Sequence, residues 1–162
     1  MRQCARILPC VFLTIVVLCS AKTPDTKLKE VSDPKYKPGQ VWSYKTRSGE
    51  EQSTLTILRV EEWTEKKRIV HIRVDRIRLR NCTGGPEPDN VQHMPFAREA
   101  LDASVIKVIR SGEVPDYRDG YQEWRKAWDA RQAGVYTITV AAAVDVMQEN
   151  FRQGLGCSKE SS

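Results

Sequence analysis

The spacing of apolar residues changes once along this chain of 162 residues, and that change fixes the class of fold. From about residue 40 to residue 80 the apolar positions alternate, as they do along a strand with one buried face. Val41-Trp42-Ser43-Tyr44-Lys45 sets Trp42 and Tyr44 on one side of a first strand. Residues 53–63 form a second strand, rich in Thr, Ile, Leu and Val, whose apolar phase slips between Ile57 and Leu58. Such a slip predicts a bulge or burial on both faces. Residues 68–80 form a third, with Val70, Ile72 and Val74 on one face and a second slip near Asp75. Short polar turns separate the three, which reads as an antiparallel meander.

Beyond a loop at 81–90, marked by Gly84, Gly85, Pro86 and Pro88, the spacing becomes helical. Pro95 suits the first position of a helix running to about Arg110. Asp119 is the expected cap of a second helix from Gly120 to Gln132, with Tyr121, Trp124 and Trp128 along one side. Val135–Thr139 reads as a short strand. Thr139 is the expected cap of a last helix through about Gln153, with Val140, Val144, Met147 and Phe151 as its buried stripe. The order β-β-β-α-α-β-α predicts an α+β fold: an antiparallel sheet of about four strands with helices packed on one face.

The N-terminus predicts an address. Arg2 and Arg6 precede an apolar run, Ile7 to Leu18, and then small residues Cys19-Ser20-Ala21. These are the parts of a secretory signal. A membrane-spanning helix needs roughly 20 apolar residues, and this run is shorter and contains Pro9. Residues 1–21 are therefore expected to be a signal peptide, with 22–39 a flexible linker, 40–155 one globular domain and 156–162 a tail. Cleavage after Ala21 would start the mature chain at Lys22. Lipid attachment at Cys19 would instead tether it to a membrane, although the bulky Leu18 before it disfavours that route. The expected localisation is exported, either periplasmic or secreted.

Losing residues 1–21 removes Arg2 and Arg6 and no acid, which leaves 24 basic and 21 acidic residues, a net charge of +3. So mild a balance does not call for nucleic acid. It also leaves two cysteines, Cys82 and Cys157, as a candidate disulfide closing a loop of about 75 residues in an oxidising compartment.

Three segments carry a resemblance: Pro38-Gly39-Gln40-Val41-Trp42-Ser43-Tyr44-Lys45-Thr46-Arg47, His93-Met94-Pro95-Phe96 and Gly120-Tyr121-Gln122-Glu123-Trp124-Arg125. Through them the mature chain resembles small exported bacterial proteins of unassigned function. The resemblance implies a bacterial source and carries no activity with it.

No catalytic motif stands out. Gly-x-Ser-x-Gly is absent, and Gly84-Gly85 runs into Pro86, which has no amide to offer a phosphate. His71, Cys82 and His93 lack metal-ligand spacing, so neither a metal nor a cofactor is expected. The unusual feature is basic: Arg76, Arg78 and Arg80 share one parity and should point the same way. Three guanidiniums on one face suit a carboxylate or a phosphate. The plainer reading pairs them with Glu61, Glu62 and Glu65. The aromatic stripe of the second helix reads as core. The sequence thus predicts a non-catalytic envelope or periplasmic domain that binds a protein or an anionic small molecule. Its alternative is an enzyme using His71 or His93 as general base.

Overall fold

The computed structural model describes residues 27–64 and 67–157. The expected signal peptide, Cys19 and the end of the tail lie outside them. The elements run β1 (Lys29–Glu30), β2 (Gln40–Tyr44), β3 (Thr54–Thr64), β4 (Lys67–Asp75), β5 (Asn90–Ala97), α1 (Arg98–Ser104), β6 (Val105–Ser111), α2 (Arg118–Asp129) and α3 (Val140–Gly154). The fold is α+β, built on a six-stranded sheet in the order β5-β4-β3-β2-β6, with β1 also paired to β3. Every strand pairing in the sheet is antiparallel. The sheet therefore has two strands more than the four expected.

β3 and β4 form its centre. Their register shifts between Ile57 and Arg59, so Leu58 is the extra residue of a bulge, where the apolar phase slipped in the sequence. Before the bulge Leu55 and Ile57 face one side; after it Val60 does, together with Val70, Ile72 and Val74 of β4. Arg59, Glu61 and Trp63 face the other side. The first face carries the main core. Trp42, Tyr44, Met94 and Phe96 of the sheet meet Ala100 and Leu101 of α1 and Val140, Ala143 and Val144 of α3 there. The expectation of helices on one face holds for α1 and α3. The helix α2 lies across the opposite face, where Trp128 packs with Ile69 and Leu28.

Three elements differ from the sequence reading. Pro95 lies in β5 rather than opening a helix: it sits opposite His71 at the sheet's edge, where its missing N–H breaks no ladder. The helix expected to reach Arg110 stops at Ser104, because Val105-Ile106-Lys107-Val108-Ile109 is a β-branched run that pairs with β2 as β6. The strand expected at 135–139 is a single parallel bridge between Tyr136 and Phe96. The cap at Thr139 is as expected, with its side chain accepting from the Ala142 amide at 3.3 Å. Ser104 joins the two helices there: its hydroxyl donates to the Ala100 carbonyl and accepts from the Val140 amide. The start of α2 is supported by Asp116, not Asp119; its carboxylate accepts from the Arg118 amide.

The segment expected as linker is folded from residue 28 onward. Leu28, Asp33 and Tyr36 are buried. The Asp33 carboxylate accepts from the Lys35 and Tyr36 amides, from Arg68 at 2.6 Å and from Arg98 at 3.0 Å. Burial alone would raise its pKa, but these donors outweigh it and hold the group well below the usual carboxylate range. The Tyr36 hydroxyl donates to Asp102 of α1 at 2.7 Å. Composition rich in Pro and Lys hid this anchorage, because the segment is held by polar contacts rather than by an apolar period.

Cys82 and Cys157 form a disulfide with Cα atoms 6.1 Å apart, closing a separation of 75 residues. It ties the end of α3 to the loop after β4. Cys82→Ser is expected to lower unfolding free energy by about 2–5 kcal/mol. Urea denaturation of the oxidised protein and of the variant checks this; equal midpoints would show that the bond constrains nothing.

Candidate functional site

Two sites emerge, one on each side of the central strand pair. The first gathers the arginines singled out by parity. β4 ends at Asp75, and Arg76 takes a left-handed backbone, φ 57°. The chain then runs extended, with the Ile77 and Leu79 amides donating to the Asp89 and Pro88 carbonyls. Ile77 and Leu79 are buried, so Arg76, Arg78 and Arg80 alternate outward. All three line one groove of about 710 Å³. Its walls are the turn holding Arg47 and Glu50 and the α3 residues Asp145, Gln148 and Arg152.

The walls are fixed by their own bonds. Arg47 holds Glu50 through Nε at 2.8 Å, and Glu50 also accepts from the Arg78 amide at 2.8 Å. Gln148 grips the Arg80 backbone at both ends: its Oε1 accepts from the amide at 2.7 Å and its Nε2 donates to the carbonyl at 3.0 Å. Pairing with Glu61 and Glu62 does not describe this face, and Glu65 lies outside the described residues. Arg78 reaches Glu87 at 3.6 Å, and Arg76 donates to the Thr54 hydroxyl. Among the described residues, neither Arg76 nor Arg80 has a carboxylate on its guanidinium.

The second site lies under α2. Arg59, Glu61 and His71 share the face opposite the main core, and β5 adds His93. Glu61 is 1% exposed and His71 fully buried. Glu61 Oε2 meets His71 Nε2 at 3.0 Å, and His71 Nδ1 meets His93 Nε2 at 2.9 Å. The other Glu61 oxygen accepts from the Tyr121 hydroxyl at 2.8 Å and from Arg59 Nε at 3.0 Å. The Tyr121 and Trp124 rings of α2 close over both imidazoles, with centroids 4.9–5.9 Å away.

Charge states follow from these partners. Burial would raise the Glu61 pKa, but donors from His71 and Tyr121 and the charge of Arg59 lower it overall. Burial lowers His71 despite the neighbouring carboxylate. Burial and the adjacent His71 push His93 down to about 4. At neutral pH the row is therefore one carboxylate and two neutral imidazoles. The ionised Glu61 only accepts, so His71 carries its proton on Nε2. His71 Nδ1 is then a lone pair, so His93 carries its proton on Nε2. The row ends in a lone pair on His93 Nδ1, assigned from the network. Among the described residues no hydrogen bond reaches that atom, and it is not one of the buried polar atoms without a partner, so it is open to solvent.

The enzyme alternative expects both histidines to cluster with an acid, and the structure brings His71 and His93 together beside Glu61; the pairing of β4 with β5 that joins them has no local sequence signal. Glu61 was placed on the surface; its signal was its parity with Arg59 after the bulge. Of the aromatic stripe, Trp128 is core as expected, while Tyr121 and Trp124 roof the histidines. Among the described residues no group of three His, Cys, Asp or Glu is placed to hold a metal ion. No helix among them is long and apolar enough to cross a membrane.

Comparison with protein-family models, with curated proteins and with solved structures gives no match.

The second site predicts how stability depends on pH. A histidine with a depressed folded pKa binds its proton more readily in the unfolded chain, so stability falls as pH drops from about 6.5 toward 4. Glu61, depressed below the ordinary carboxylate value, adds a second loss at still lower pH, as it titrates in the folded state. His93→Gln keeps a donor toward His71 and should shrink the first loss while leaving the second. Urea midpoints measured from pH 7.5 to 3.5 check it; an unchanged loss between pH 6.5 and 4 would refute the assignment.

Proposed function

We propose that this chain is an exported, non-catalytic binding domain of the cell envelope or periplasm, and that its ligand is an anion held in the groove of Arg76, Arg78 and Arg80. The observation that supports the reading is that Arg76 and Arg80, neither paired with a carboxylate among the described residues, bring their guanidiniums to one concave surface whose walls are already hydrogen-bonded. Guanidinium forks match carboxylate and phosphate oxygens, and bonds to charged groups are the stronger kind. Of the three acids lining the groove, Glu50 and Asp145 are engaged by Arg47 and Glu149 accepts from Gln153, while five arginines line it, so the balance of charge stays positive. The disulfide supports an oxidising compartment, where such bonds persist.

The Glu61–His71–His93 row supports binding more than general-base catalysis. An effective base has a pKa near the working pH. His93, held near 4, falls well short of that, and His71 is sealed from solvent.

Titration with pyrophosphate and with citrate at low ionic strength tests the groove. Both should bind, and added salt should weaken them. Arg76→Glu with Arg80→Glu should weaken binding roughly tenfold or more. Equal binding by the variant, with its fold intact, would eliminate the groove. Export has its own test. The protein recovered from its host should begin at Lys22; a mature chain starting at a lipidated Cys19 would make it a membrane-tethered form, and one starting at Met1 would overturn export.

A further inference from the structure

A separate cavity of about 550 Å³ opens beside His93, between α2, the 133–136 segment and Met147 of α3. Its volume lies within the range of small-molecule sites. Its walls are mostly apolar: Trp124, Ala127, Val135, Tyr136 and Met147 among them. The polar atoms on the walls are unequal in what they can offer. Among the described residues the side-chain donors are spent. Trp124 Nε1 donates to the Gly134 carbonyl at 2.9 Å, and the Tyr136 hydroxyl points at Met147 Sδ at 3.4 Å. His93 Nε2–H is committed inward to His71. What remains open are acceptors: the His93 Nδ1 lone pair, and the Glu123 carboxylate on the exposed rim.

We infer that this cavity binds a small aromatic molecule that is not an anion and carries one O–H or N–H, which it donates to His93 Nδ1 while its ring packs against Trp124 and Tyr136. The side chains favour this polarity over the opposite one. A carboxylate entering the cavity would meet a lone pair, a second carboxylate and, among the described residues, no free side-chain donor. The Glu61–His71 pair enforces this selection, because it fixes the tautomer that turns the His93 lone pair outward. A buried acceptor facing an apolar ligand goes unsatisfied, so a ring without a donor binds less well. Gly120 lets α2 approach closely: a Cβ there would stand 3.0 Å from His93 Cβ.

The cavity and the arginine groove select opposite ligands, and this separates their tests. Phenol, toluene and benzoate are titrated into the oxidised protein, with chemical shifts followed for the His93 imidazole, the Trp124 indole and the Arg80 guanidinium. Phenol should shift His93 and Trp124. Toluene should bind at the same place roughly three- to tenfold more weakly. Benzoate should leave His93 unmoved and act, if anywhere, at Arg80. Ala127→Leu fills the cavity without touching the histidine row and should abolish the response to phenol. His93→Phe should erase the preference for phenol over toluene. Equal binding of phenol and toluene, a benzoate response at His93, or an unchanged phenol response in Ala127→Leu would each overturn the inference. So would the absence of any shift at His93 with phenol up to its solubility.

Discussion

The bulge at Leu58 decides which side chains of β3 reach which layer. A strand's side chains alternate, so one extra residue inverts everything that follows it. Without it, Val60 would face α2, and Arg59, Glu61 and Trp63 would enter the apolar layer under α1 and α3. With it, Leu55, Ile57 and Val60 stay in one core, and Arg59, Glu61 and Trp63 join His71 and Ile69 on the other face. Burying an unpaired carboxylate in the first layer would cost several kcal/mol. The same carboxylate in the second layer meets an imidazole, a phenol and a guanidinium. The two-faced character of the central strands, and so the helix on each side of the sheet, rests on this irregularity.

Two buried carboxylates show what separates a structural network from an open one. Asp33 accepts from two amides and two arginines, and its neighbours Arg98, Asp102, Lys35 and Tyr36 bond one another. That network closes on itself: it staples residues 33–36 to β4 and α1. Removing one partner of such a set is costly because the remaining charge is stranded. Glu61 begins with the same logic, three donors on two oxygens, yet its row continues through His71 to His93 and ends in an unshared lone pair. Fixed tautomers carry the influence of the buried carboxylate to the cavity wall without moving a proton.

How much of this was legible in the sequence depended on whether local periodicity or long-range pairing decided the outcome. The bulge showed as a phase slip, Thr139 as a cap, α2 and α3 as amphipathic runs, and Cys82 with Cys157 as the only two thiols left beyond the expected signal. Each is a local or arithmetical signal. β5 was not legible, because Gln92, His93 and Pro95 break any apolar alternation, and the strand exists by pairing with β4. The boundary between α1 and β6 failed for a related reason: Ala103, Val105 and Ile109 fit helical spacing, while the β-branched run finds a partner in β2 that spacing alone cannot reveal. Glu61 and Asp33 were missed because a buried acid looks in sequence like any surface acid. The three arginines came together for the reason parity gave, although their segment is an extended arm past β4 rather than the strand's second half.

α3 binds the two sites into one framework. Met147 and Gln148 are neighbours in sequence, about 100° apart around the helix. One therefore faces the aromatic cavity while the other grips the Arg80 backbone. The helix is held at its start by Thr139 and Ser104 and beyond its end by the disulfide at Cys157. That bond lies just past Arg80 on one wall of the groove and just past Arg152 on the other, so it joins the two walls directly. A groove whose sides are covalently linked loses little freedom when an anion enters, which is the condition under which a few guanidiniums suffice for affinity. Whatever keeps the bond formed therefore keeps the groove preorganised.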